Sequence, residues 1–248
     1  MGYRLGLGIA GLAVELHCRS PYMETFCRDY RIALPAAGAD IVAVTTEKDI
    51  DAELSAVPGS RRETAESICL YRSIAEQLPH FDACLFHGAA ISYGDRAFLF
   101  TAPSGTGKST HIRLWRRYLG DAIDIVNGDK PILRLTDEGV NVCSTPWAGK
   151  ENWQKNRIVP LGALCLLKRG TVNRIRRVAA KDYLRELLHQ VYLPGNNGTL
   201  VTTLELLDRM CRRVPVFVLE CDMSEEAVRT AFTGLTGERY PREAHHEG

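Results

Sequence analysis

The sequence predicts an α/β fold with a mixed β-sheet, built around a phosphate-binding loop and preceded by a small α/β lobe. An apolar segment at residues 98–101 runs into a glycine-rich turn ending in Gly107-Lys108-Ser109-Thr110, and a helical pattern follows at once. Strand-like segments joined by short turns predict hairpins beside βα units, hence a mixed sheet. A break at Pro58-Gly59-Ser60 divides the chain. We predict a lobe at residues 1–60 and a nucleotide-binding domain at residues 61–240.

The N-terminal part is predicted from its hydrophobic periodicity. Alternation of apolar residues predicts strands at residues 8–18 and 41–46, and helical patterns cover residues 20–30, Glu47–Ala56 and Arg62–Gln77. Gly6, Gly8 and Gly11 form a G-x-G-x-x-G pattern. No strand of useful length precedes them, so a glycine-rich first strand is a better interpretation than a dinucleotide site.

The remainder supplies the elements of the predicted nucleotide-binding domain. Two hairpins are predicted, from strands at residues 83–92 and 97–101 and from strands at residues 131–135 and 140–144. Further strands are expected at residues 122–126, 163–168 and 214–220. Helices are expected at residues 109–119, 180–190, 200–212 and 224–235.

The composition favours an ordinary soluble protein and excludes several classes. The 248 residues carry a net charge of +1, so no global charge favours binding to nucleic acid or to an anionic membrane. None of the eight cysteines forms a C-x-x-C pair, which favours reduced core cysteines over a zinc site. Residues 1–14 are apolar but lack a convincing cleavage site. We therefore expect a cytoplasmic protein.

Local basic clusters remain open to two interpretations. One cluster contains Arg113, Arg116 and Arg117, and the other combines Lys168 and Arg169 with Arg174, Arg176 and Arg177. Each is either a solvated face or a docking surface for an acidic partner.

The turn before the predicted helix at residues 109–119 carries the strongest functional signal. Backbone N–H groups of such a loop wrap a polyphosphate, Lys108 neutralises its β and γ oxygens, and the Ser109 hydroxyl holds the metal ion. The strict pattern has glycine where this chain has Ala102. The motif predicts a nucleoside triphosphate site formed by Ser104, Gly105, Thr106, Gly107, Lys108, Ser109 and Thr110.

Other residues are candidates for the chemistry. Asp129 follows an apolar strand-like run, where a carboxylate can hold Mg²⁺ or accept a proton; the alternative is an Asn-Gly-Asp turn selected for its backbone. His87 precedes the hairpin that leads into the loop and is either catalytic or structural. Residues 144–153 contain Lys150 and Glu151, which could reach phosphate and metal; the alternative is a loop anchored by its two tryptophans.

These motifs together resemble the catalytic domain of HPr kinase/phosphorylase, within the phosphoenolpyruvate carboxykinase-like group of P-loop folds. The resemblance rests on His87-Gly88, the hairpin, and Pro-Ser-Gly-Thr-Gly-Lys-Ser-Thr, and it covers about residues 83–235. The whole chain is closer to stand-alone bacterial relatives of HPr kinase, some of which phosphorylate peptides. The resemblance implies that Lys108 contacts the γ-phosphate, Ser109 and Asp129 bind metal, and His87 lies in the active site.

The chain departs from that family at Gly128, where the family has its general base. Either Asp129 serves both as metal ligand and as general base, or the alignment is shifted by one residue, or the general base is lost. The glycine-rich family signature after this pair is also missing, and Glu151 is the candidate for its metal-binding glutamate. Phosphorylase activity is therefore not expected.

The sequence favours a kinase that uses ATP or GTP with Mg²⁺ or Mn²⁺ and phosphorylates a hydroxyl, most readily a serine of a peptide or protein. A nucleotide-binding regulator without transfer and a small-molecule kinase are the alternatives. A peptide kinase is expected to show an exposed groove beside Trp147, and a small-molecule kinase a compact pocket. The resemblance is the one indication of a homo-oligomer, because HPr kinases assemble as hexamers.

Overall fold

The computed structural model describes residues 2–241, and its N-terminal part is a three-stranded sheet. β1 (Tyr3–Ile9) and β2 (Leu12–Cys18) form an antiparallel hairpin, and β3 (Ile41–Val44) lies parallel to β2. Ala10 and Gly11 form the two-residue turn with φ values of 56° and 73°, the positive pair that a type I′ turn requires. The prediction of one strand at residues 8–18 is therefore wrong. Ala10 stands where such turns usually have Asn, Asp or Gly, so the sequence does not signal the hairpin.

Three helices accompany this sheet. α1 (Tyr22–Phe26) is followed by a 3₁₀ turn, so the helix predicted at residues 20–30 is shorter and interrupted at Cys27. α2 (Glu47–Ala56) and α3 (Arg62–Gln77) confirm the prediction, and a capping box starts α2. α3 packs against α2 and β3. The division at residue 60 stays a prediction.

The second sheet is mixed, as predicted. Within the described residues it has nine strands; seven follow the order β4-β8-β9-β10-β6-β5-β7, and β12 joins β10 to β11. β10 runs parallel to β6 and β12, and the other pairs are antiparallel. The strands are β4 (Ala83–Leu85), β5 (Ala89–Tyr93), β6 (Arg96–Thr101), β7 (Ile123–Asn127), β8 (Ile132–Thr136), β9 (Gly139–Cys143), β10 (Ile158–Arg169), β11 (Arg174–Val178) and β12 (Val216–Cys221).

The strand predicted at residues 83–92 is divided in two. β4 and β5 lie at distant positions of the sheet, and His87 and Gly88 connect them. His87 donates its backbone N–H to the carbonyl of Gln190, outside the sheet. A Cβ on Gly88 would lie 2.8 Å from a Leu99 methyl carbon and 3.0 Å from the Phe100 carbonyl oxygen, so the close backbone approach requires glycine here.

Two further elements differ from the prediction. β11 was not predicted because its three arginines hide the strand periodicity, and it pairs with β12 at the edge of the sheet. The helix predicted at residues 180–190 is a 3₁₀ turn followed by the short α5 (Leu184–Leu188).

The remaining helices pack against the larger sheet. They are α4 (Lys108–Leu119), α6 (Asn197–Arg213) and α7 (Glu225–Thr236), each close to its predicted range. α4 buries Ile112 and Trp115 in an apolar cluster with Phe100 and Phe232, which fixes the helix directly after β6. No helix within residues 2–241 combines the length and hydrophobicity needed to cross a bilayer.

Tyr30 links the N-terminal part to the larger sheet. It is 1% exposed, its hydroxyl donates to Gln154 Oε1 at 2.7 Å, and Ser144 Oγ lies 2.6 Å from the same oxygen. We expect Tyr30→Phe to lower the free energy of unfolding by about 1–3 kcal/mol, because two polar groups lose a buried partner. Urea denaturation measures the change. Tyr22→Phe, at a tyrosine 43% exposed, is the matched control and should leave stability unchanged.

Candidate functional site

The predicted phosphate-binding loop lies between β6 and α4. β6 ends at Thr101 and α4 begins at Lys108. Gly105 and Gly107 have φ values of 79° and 116°, which only glycine adopts without strain. Ala102, where the strict pattern has glycine, is 2% exposed and packs in the apolar cluster beneath α4. The departure therefore affects the strand end and leaves both glycines that shape the turn in place.

Arg169 fixes the outer side of this loop. Its Nε donates to the Thr106 carbonyl at 2.9 Å, and its guanidinium also donates to the Gly105 carbonyl. Sequence reasoning placed Arg169 only in a basic cluster and missed this contact. The usable signal was its position at the end of a predicted strand: β10 is parallel to β6, so Arg169 and the loop emerge at the same edge of the sheet.

Three of the predicted catalytic side chains meet beside the loop. His87 Nε2 lies 2.7 Å from Lys108 Nζ and 3.3 Å from Asp129 Oδ1. Burial lowers the pKa of Lys108 to about 8, with Asp129 opposing this shift and Lys130 adding to it. His87 Nε2 thus lies within reach of both the Lys108 ammonium and the Asp129 carboxylate, and the ring tautomer decides which of the two contacts is a hydrogen bond.

Asp129 is held by a turn that Asn127 organises. The Asn127 side chain is fully buried, and its Oδ1 accepts from the backbone N–H groups of Asp129 and Lys130, both at 2.9 Å. Burial raises the pKa of Asp129, but His87 and the charges of Lys130 and Lys108 outweigh that effect, and the net pKa lies below its ordinary value. The turn is therefore held by its backbone hydrogen bonds and presents an ionised carboxylate, whereas the role of that carboxylate in metal binding or proton transfer stays a prediction.

Gly128 occupies a position with no room for a side chain. A Cβ there would lie 2.7 Å from the Ala148 carbonyl oxygen and 3.4 Å from that of Trp153. Because the backbone of residues 148–153 closes directly over it, this turn excludes the carboxylate that the resemblance places there.

The loop at residues 144–153 is anchored by both of its tryptophans and lines the site with its charged residues. Trp147 is buried, its Nε1 donates to the Ser67 carbonyl at 3.1 Å, and its ring contacts Phe26 and Tyr71 edge-on. Trp153 is partly buried against the apolar cluster beneath α4. A groove for a peptide beside this loop stays a prediction. Glu151 is paired with Arg113, so its carboxylate is already neutralised.

A cavity of about 460 Å³ brings most of the predicted site together, and we call it the phosphate cavity after the ligand that the sequence predicts for it. Of the predicted residues only Thr106 is outside its lining, and Thr106 borders the two neighbouring cavities instead. The predicted residues lining it are His87, Ser104, Gly105, Gly107, Lys108, Ser109, Thr110, Asp129 and Glu151.

The donor set in this cavity fits a metal ion that phosphate helps to hold. Within the described part of the chain, no three His, Cys, Asp or Glu side chains form a group that could hold a metal ion. Mg²⁺ commonly uses one or two protein oxygens together with substrate phosphates and water. The Ser109 hydroxyl and the ionised Asp129 carboxylate match that requirement, whereas Glu151 would first have to leave Arg113.

Comparisons with known proteins give little beyond this geometry. No protein-family model matches the chain, and no curated protein matches its sequence. Among solved structures, the Hpr(Ser) kinase/phosphatase from Coxiella burnetii is similar with a TM-score of 0.35 and 12% identity, over 62% of this chain and 99% of that chain. Values this low neither assign the chain to that protein's family nor transfer a residue role.

The crowding at Gly128 predicts that restoring the missing acid fails. We expect Gly128→Ala and Gly128→Asp each to lower the free energy of unfolding by about 1–3 kcal/mol, because the new Cβ overlaps the Ala148 carbonyl. Thermal and urea unfolding measure the loss. Gly195→Ala is the control, since the nearest atom to its Cβ would be 4.0 Å away. A stable Gly128→Asp variant would contradict this packing.

The lowered pKa of Lys108 predicts pH-dependent phosphate binding. Below pH 8 the ammonium is protonated and attracts phosphate; above pH 8 the free protein holds a neutral amine. We therefore expect the dissociation constant for Mg-ATP to rise by up to about tenfold per pH unit above pH 8. Fluorescence titration between pH 7 and 9.5 measures it. Lys108→Arg, which stays charged, should bind more weakly but without this dependence.

Proposed function

We propose that this protein is a kinase that uses ATP or GTP with Mg²⁺ or Mn²⁺ and transfers the γ-phosphate to a hydroxyl, with a peptide or protein serine as the acceptor. The observation that carries the proposal is the meeting of Lys108, His87 and Asp129 beside the loop between β6 and α4. A loop of this shape with a lysine and an ionised carboxylate at one end meets the electrostatic needs of phosphoryl transfer.

The chain's own groups divide the work of binding. The backbone N–H groups of Ser104, Gly105 and Gly107 and the N-terminus of the twelve-residue α4 would bind the phosphates, where the helix dipole favours negative charge; the Thr106 N–H already donates to the Pro103 carbonyl. Lys108 exchanges its contact with His87 for the β and γ oxygens. Ser109 and Asp129 would hold Mg²⁺, which would supply neutralisation of charge on the transferring phosphoryl group.

Transfer needs little proton abstraction here. A lowered pKa makes Asp129 a good metal ligand and a weak base. In the loose transition state of phosphoryl transfer, positioning and charge stabilisation dominate. His87 loses its contact with Lys108 once phosphate binds, and its Nε2, which still faces Asp129 Oδ1 at 3.3 Å, is then open on that side to orient the acceptor hydroxyl.

The rival function is a regulator that binds nucleotide without transferring phosphate. Gly128 favours it, because the turn excludes the acid that the resemblance places there. A small-molecule hydroxyl kinase is the third candidate, since the phosphate cavity is the same for any acceptor.

Metal-dependent transfer is the experiment that separates these functions. Purified protein is incubated with radiolabelled ATP or GTP, Mg²⁺ or Mn²⁺, and serine peptides, small alcohols or no acceptor. Phosphorylated peptide supports the kinase; tight binding without transfer supports the regulator. Lys108→Ala should weaken nucleotide binding and abolish transfer, and retained turnover would overturn the loop assignment.

Asp129→Asn tests the carboxylate. We expect the variant to keep most of its nucleotide affinity and to lose on the order of 100-fold in transfer rate, because metal-assisted charge stabilisation is lost. Single-turnover kinetics measure the rate, and isothermal titration with and without Mg²⁺ measures binding. An unchanged rate would move the chemistry to His87 or Glu151.

A further inference from the structure

A second, larger cavity opens beside the phosphate cavity. It has a volume of about 840 Å³, and its buried floor consists of Ala102, Leu166 and Leu167. We call it the lateral cleft; its other lining residues are His87, residues 103–106, Lys168, Arg169, Glu186, His189 and Gln190. His87 lines both cavities, so the lateral cleft borders the end of the site that holds Lys108 and Asp129.

One buried side-chain oxygen in the lateral cleft has no hydrogen-bond donor among the described residues. Gln190 is 6% exposed, and its Oε1 has no hydrogen-bond donor among the described residues. An unpaired buried acceptor is costly, and such groups in native structures commonly mark a binding function. A ligand that donates an N–H or O–H at the floor of the lateral cleft would satisfy it.

The mouth of the lateral cleft is cationic. Lys168 and Arg176 both lie over the Tyr183 ring, at 5.1 and 5.7 Å from its centroid, and Arg169 binds loop carbonyls. None of the three has a carboxylate within 4 Å in the described part of the chain, in contrast with the paired Arg62, Arg72 and Arg157. Glu186 is the one carboxylate among the described residues that line the cleft.

We propose that the lateral cleft is the acceptor subsite and that it takes an acidic peptide segment. A backbone N–H of that segment donates to Gln190 Oε1, an apolar side chain beside the serine packs on Leu166 and Leu167, and acidic side chains pair with Lys168 and Arg176. Lys168 lines the cleft, and Arg176 lies beside it, outside the lining. Because the positive charge extends beyond the cleft, an extended acidic segment fits it better than a small molecule. This inference rests on the proposed function.

The position of the lateral cleft relative to the loop supports an acceptor over a nucleoside. A third cavity, of about 470 Å³, shares Lys168 and Arg169 with the lateral cleft, but it borders Thr110 and Leu114 on α4 and does not include His87. The nucleoside belongs on that side, away from the γ-phosphate. The serine oxygen then forms the new bond to the γ-phosphorus, the bond to the β–γ bridging oxygen breaks, the nucleoside diphosphate leaves, and the hydroxyl proton passes to His87 or solvent.

Oriented peptide libraries test the acceptor class. Each library holds a central serine and degenerate flanks, with one flanking position fixed as Asp, Glu, Ala or Lys. At one or more flanking positions, we expect transfer to be at least about tenfold faster with Asp or Glu than with Lys. Equal rates for Asp and Lys at every position, or transfer only to small alcohols, would overturn the inference. Nucleotide binding measured in parallel reports separately on the proposed function.

Charge reversal locates the subsite. Arg176→Glu should raise the KM for the preferred acidic peptide several-fold and leave the dissociation constant for Mg-ATP unchanged, because Arg176 lines neither the phosphate cavity nor the third cavity. Arg117→Glu is the matched control, because it makes the same change in net charge on α4, and Arg117 also lies over a tyrosine ring. Equal KM values for the two variants would overturn the inference.

Gln190→Leu separates binding from structure. Removal of a buried side-chain oxygen that has no donor among the described residues should leave the thermal unfolding temperature unchanged or higher. The same variant should raise the peptide KM several-fold without weakening Mg-ATP binding. A KM equal to that of the parent in a stably folded variant would contradict the role of Gln190.

Discussion

The burial of the Lys108 ammonium beside His87 and near the charge of Asp129 is the constraint on which the rest of the site depends. A largely buried ammonium group is stabilised by a polar partner and a nearby negative charge. His87 supplies the partner, because the chain leaves the sheet at this residue between β4 and β5, and Asp129 supplies the charge just after β7. The contact with His87 holds Lys108 beside the loop.

The comparison of sequence with structure shows which features periodicity can reveal. The strand, glycine turn and helix around Lys108 were predictable because local φ requirements and hydrophobic spacing agree there. The split at His87 and Gly88 was not, because it depends on contacts with Leu99 and Gln190, which are remote in sequence. The role of Arg169 also depends on strand pairing. The lateral cleft lies between elements that no local pattern connects.

Gly128 shows how one position can limit a family resemblance. In the turn at Asn127, the backbone N–H groups of Asp129 and Lys130 donate to the Asn127 side-chain oxygen, and the following loop closes over the glycine. In such a turn only one carboxylate can face the phosphate cavity. Under the proposed function, Lys108 and a metal ion held by Asp129 would therefore have to supply more of the charge stabilisation than in a site with two acids.

The anchoring of Trp147 has a consequence for how this chain can change over evolution. Its ring lies between Phe26 and Tyr71, and its indole nitrogen is bound by the backbone of α3, so the loop over the phosphate cavity depends on the N-terminal sheet and its helices. The N-terminal part thus supports the loop that lines the site without lining the cavity itself. An unrelated domain could replace it only if that domain again supplied aromatic side chains that pack against Trp147.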